Sequence, residues 1–185
     1  MVAALLGVFA LRFVCYYDLN DDVLIKDILS GVYSGSPDGH TMQLLYPLGW
    51  GLAMLYSVSG APVFGIFLAV CQYGSIFLIG YRILRLCSGW EAKLAAVLAQ
   101  AVFWTAAFGY HLVFLQYTVT AGMLAGAALF WMLTRRESQK EGIWDFWSGN
   151  FLAVVLYWLS FCLRIEMALL LLPLAGVAGL CRWAW

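Results

Sequence analysis

An all-α, multi-pass membrane fold of about six spans follows from three observations about length, composition and patterning. Of the 185 residues, 64% are hydrophobic and only 11% charged, with a mean hydropathy of +0.88, whereas about a quarter of a soluble domain is charged. The apolar residues come in runs of spanning or near-spanning length, parted by short polar breaks. Lys and Arg collect in alternate breaks, the pattern left when loops of one sign lie on one side of a bilayer.

Residues 1–17 are apolar apart from Arg12 and end on Tyr16 and Tyr17, an interfacial pair, so they read as a first span rather than a signal peptide. Asn20 then opens a helix. Leu24, Ile25, Ile28, Leu29 and Val32 form its apolar stripe, and Asp22, Lys26, Asp27 and Ser30 take the other side, which lays the helix along the membrane surface. Ser30-Gly31, Ser34-Gly35-Ser36-Pro37 and Asp38-Gly39 supply turns that reverse the chain. Residues 42–56, with Pro47 near the start, are too short to span and form a second surface helix. Spans follow at 63–86, from Lys93 to about 109, at 112–133 after a turn at Tyr110 and His111, at 151–163, and at 167–180 around Pro173. The chain is thus one integral membrane domain, 1–185, with a first extracytoplasmic loop at 18–62.

Arg82, Arg85, Lys93, Arg135, Arg136, Lys140 and Arg182 fall on one side if the spans alternate. That side is the cytoplasmic one by the positive-inside tendency, which turns the acidic loop outward, on a cell membrane. Zero net charge and the absence of a basic block exclude nucleic-acid binding. Cys15, Cys71, Cys87, Cys162 and Cys181 lie in or beside apolar runs without CxxC spacing and read as small buried hydrophobes.

Residues 18–47 carry half of the ten acids (Asp18, Asp21, Asp22, Asp27 and Asp38) with one lysine and one of the two histidines. Asp21 and Asp22, beginning the surface helix, fit two accounts. They are first-turn acids favouring the helix dipole, or carboxylates acting as general base toward a hydroxyl, or as ligands of a divalent cation such as Mg or Mn. Arg164 and Glu166 interrupt an otherwise continuous apolar stretch. They mark a tight turn, or they supply an arginine to an anionic group such as phosphate. Lys26, His40 and Tyr46 are further candidates for substrate contact, with Trp50 and Tyr56 able to border a sugar site, while His40 and His111 read equally as loop residues.

The order of parts, and DDVLIKDILSGVYSGSPDGHTMQLLYPLGWGLAMLY in particular, resembles the GT-C superfamily of polytopic glycosyltransferases, of the bacterial mannosyltransferase kind. The segment LRIEMALLLLP is similar to a later stretch of that superfamily, in which a basic residue precedes an apolar run with a proline. The resemblance implies an active site on the first outer loop at Asp22 or Asp21, a polyprenyl-phosphate sugar as donor, and a phosphate contact at Arg164. It also implies that the chain matches the N-terminal portion of such an enzyme or a reduced member. The competing class is a non-catalytic transporter or assembly partner whose acidic loop binds a cation or a protein.

Overall fold

A computed structural model describes residues 16–18, 20–135 and 143–183 of the chain. The expected first span, with Arg12, lies outside the described residues apart from its last two tyrosines, and so do Arg136 and Lys140. The described part is all-α: α1 (Asn20–Ser30), α2 (Tyr46–Val58), α3 (Val63–Leu86), α4 (Trp90–Val113), α5 (Tyr117–Thr134), α6 (Ile143–Leu163) and α7 (Ile165–Trp183), with two-residue strands β1 (Tyr16–Tyr17) and β2 (Phe114–Leu115). Three helices, α3, α4 and α5, are long and apolar enough to cross a bilayer, so the protein is of the integral membrane kind.

The hub is α5, which packs on α3, α6 and α7. Ala121, Ala125 and Ala128 are buried along it, and such small side chains let neighbouring helices approach closely where lipid offers no hydrophobic drive. Two polar side chains at this depth bond across helices: Gln72 Nε2 donates to Thr120 Oγ1 at 2.9 Å, and the Ser160 hydroxyl to the Ala121 carbonyl at 2.7 Å. By contrast α4 packs mainly on α3, touches α5 through Leu112 against Met123, and leaves Leu98, Val102 and Phe103 exposed, as a lipid-facing helix would.

The two surface helices sit over one end of this bundle. Ile25 and Leu29 of α1 and Leu48 and Leu52 of α2 join Phe64, Leu68, Tyr117 and Leu163 in one core. A Schellman arrangement ends α1: Gly31, at φ +82°, donates to Ile28 O, and Val32 donates to Asp27 O. Tyr46 and Pro47 open α2, as proline in a first turn predicts. The start of α3 lacks a side-chain cap at Pro62, and tyrosines serve instead. Tyr56 Oη accepts from Phe64 N–H at 3.0 Å, and Tyr17 Oη reaches the Gly65 backbone, where a Cβ would block it. Burial pushes the Tyr56 phenol above its ordinary pKa.

Three expectations need correction. Asp22, expected on the polar side of α1, is completely buried, because positions 22, 25 and 29 share the inward face with Ile25 and Leu29. Val32, expected in the apolar stripe, is exposed beyond the helix end. The break at Tyr110 and His111 lies instead at residues 114–116. There β1 adds to β2 in parallel, pairing Tyr16 with Phe114 and Tyr17 with Leu115, and α4 runs unbroken to Val113.

The two ends of α5 meet different partners. Arg82 Nε donates to Thr134 Oγ1 at 2.9 Å at its C-terminus, whereas Asp22 meets Tyr117 at its N-terminus. Eighteen residues of helix part the two by about 27 Å.

Candidate functional site

Tyr117, the first residue of α5, joins the two stretches that the sequence singles out. Its N–H donates to Asp22 Oδ1 at 2.8 Å, placing a carboxylate on an otherwise unpaired donor at the positive end of the helix. Its hydroxyl accepts from Arg164 Nη1 at 3.0 Å, and the same nitrogen donates to Thr118 Oγ1 at 2.5 Å. The Arg164 guanidinium also lies 5.4 Å from the centre of the Tyr117 ring, within cation–π range. Leu45 N–H donates to Cys162 O at 2.8 Å and ties the segment before α2 to the end of α6.

Between that segment and the α6–α7 junction lies a pocket of about 230 Å³, lined by Met42 to Leu45, Tyr117, and Arg164 to Glu166. Its size suits a phosphate or a single ring, since pockets for drug-sized ligands begin at roughly 300 Å³. Glu166 stands exposed on its rim, 3.5 Å from Arg164 Nε. On the next turns of α5 and α7 begins an apolar groove of about 490 Å³, walled by Val119, Gly122, Gly126, Met167 and Leu170 with Trp104 and Phe108 of α4.

The sequence candidates therefore divide into three places. Asp22, Arg164 and Glu166 gather around Tyr117, with Asp22 behind the pocket wall rather than lining it. Asp21 is exposed beside it. Lys26 is held by its neighbour Asp27 at 2.5 Å. His40 and Tyr46 meet on the outer surface, ring centres 4.6 Å apart, with Trp50 one turn along α2, while Tyr56 turns inward to α3. His111 lies inside α4.

A divalent cation does not fit Asp21 and Asp22: one is exposed and the other buried against a backbone amide, and no group of three or more potential ligand side chains occurs among the described residues. Tyr117 and Thr118 belong to this candidate site and were not among the residues the sequence singles out. The signal present was the polar triplet Gln116-Tyr117-Thr118 at the head of an apolar run. No protein family, curated protein or solved structure matches this chain.

Proposed function

We propose that the chain is a membrane glycosyltransferase that moves a sugar from a polyprenyl phosphate to an acceptor at the outer face of a bacterial cytoplasmic membrane, within a six-span fold of the GT-C kind. The observation that carries this reading is the Arg164 pocket at the head of an apolar groove, one residue away from a buried carboxylate. A lipid phosphate needs a cation for its head and a dry channel for its tail. In this reading the phosphate contacts Arg164, displacing the bond to the uncharged Tyr117 hydroxyl, and the prenyl chain follows the groove along α5 and α7.

The reaction is inverting. The acceptor hydroxyl gives its proton to Asp22, or to Asp21 beside it, and its oxygen bonds to the anomeric carbon. The bond from that carbon to the phosphate oxygen breaks, and the leaving phosphate keeps the electron pair, its charge met by Arg164. In this reading the Tyr117 side chain, which stands between Asp22 and the pocket, moves aside as the phosphate takes Arg164, so that donor binding precedes acceptor binding.

Turnover of a polyprenyl-phosphate sugar by protein purified in detergent, for the native chain, Asp21→Asn, Asp22→Asn and Arg164→Lys, tests this. Transfer lost in one Asp variant with donor binding retained identifies the base, and Arg164→Lys weakens donor binding because lysine cannot reproduce the guanidinium fork. The complete burial of Asp22 favours a second reading, a transporter or assembly partner in which the carboxylate only caps α5. No donor binding by folded native protein, or full turnover in both Asp variants, decides against Asp21 and Asp22 as catalytic residues.

A further inference from the structure

We propose that Asp38, His40, Tyr46 and Trp50 form a saccharide-binding platform at the outer rim of the Arg164 pocket. Its assignment to the acceptor rests on the transferase reading; saccharide binding itself does not.

The platform is built by a close backbone approach. Gly39 and Gly49 are both buried, and a Cβ on either would run into the backbone of the other segment, so the 38–40 loop lies directly on the first turns of α2. That contact sets the His40 ring over Tyr46 at 4.6 Å, tilted by 32°. Asp38 Oδ1 accepts twice from His40, from its backbone N–H at 2.9 Å and from ring Nδ1 at 2.7 Å. These two bonds hold the Asp38 carboxyl below its ordinary pKa. With Nδ1 engaged by Asp38, Nε2 is the ring nitrogen left to hydrogen-bond a ligand. Tyr46 and Trp50 stand at i and i+4 on one face of α2, each about half exposed (51% and 53%).

A pyranose ring presents an apolar C–H face and a rim of hydroxyls. It is recognised by an aromatic face flanked by fixed hydrogen-bonding groups, and the platform supplies both. A plain interfacial belt needs Tyr and Trp but has no use for an Asp–His pair locked beside them. The location is equally specific: Met42 to Leu45, which line the Arg164 pocket, connect His40 to Tyr46 in the chain. Tyr46 follows directly on Leu45 of the pocket lining, so platform and pocket are built on one segment.

The test uses the full chain in lipid nanodiscs with methyl α-mannoside, methyl α-glucoside and methyl α-galactoside as probes, followed by saturation-transfer NMR without donor. Transfer to the ring C–H protons of at least one probe is expected in native protein. Trp50→Ala should weaken the titration about tenfold, the scale of one lost aromatic contact, and His40→Ala should weaken it less. Both side chains are exposed, and circular dichroism checks that the variants fold. Absence of transfer in native protein, or equal transfer in native and variant proteins, overturns the proposal. So does quenching of Trp50 emission by brominated lipid, measured against Trp50→Phe, in a native protein that shows no transfer. Saccharide binding without sugar transfer from any donor leaves the platform standing and sinks the transferase reading; transfer without binding does the reverse.

Discussion

The first loop carries two carboxylates with opposite fates. Asp22 is completely buried and bonded to the N-terminus of α5, whereas Asp38 is solvated and bonded to a histidine two residues away. A carboxylate taken out of water is stable only with a strong partner, and the unpaired amide at a helix start is one. Asp22 thus couples the loop to the bundle, while Asp38 shapes only its own turn. Removing the first should disturb the fold; removing the second should disturb recognition.

The largest effect is expected from Asp22→Ala, which leaves the Tyr117 N–H buried without its acceptor and should cost about 3 kcal/mol, against about 1 kcal/mol or less for Asp22→Asn, whose side-chain oxygen can still accept. Thermal unfolding in detergent measures both. Equal losses in the two variants would show that charge, not the hydrogen bond, holds the loop. Gly49→Ala comes next. Its methyl would strike the Gly39 backbone, so about 1–3 kcal/mol of overpacking is expected, together with weaker saccharide binding. Unchanged stability in Gly49→Ala would mean that the loop does not rest on α2.

The smallest effect concerns pH. Burial raises the Tyr56 phenol above its ordinary value of 10.0. The folded state therefore keeps this proton where the unfolded chain has lost it. Its contribution to stability is fully present below about pH 10 and declines as pH rises toward the folded value. Unfolding followed from pH 9 upward should show this decline, and Tyr56→Phe should flatten it; an identical profile in the variant would remove Tyr56 as a source.

Much of this comparison was legible in residue order alone. The run from Val63 to Leu86, the glycine that ends α1 and the proline that opens α2 each reflect local chemistry, because span length, a positive φ and a missing N–H are properties of short stretches.

Tertiary contact decided the rest. Whether Asp22 faced water or the core depended on one step of helix phase, which the packing of Ile25 and Leu29 selects. Tyr117 acquired its role only because an amide at the start of α5, a carboxylate 95 residues earlier and an arginine 47 residues later share one corner. Periodicity along the chain says which face of a helix is apolar. It does not say which distant polar group that face will meet, because the partner is chosen by how the helices stack.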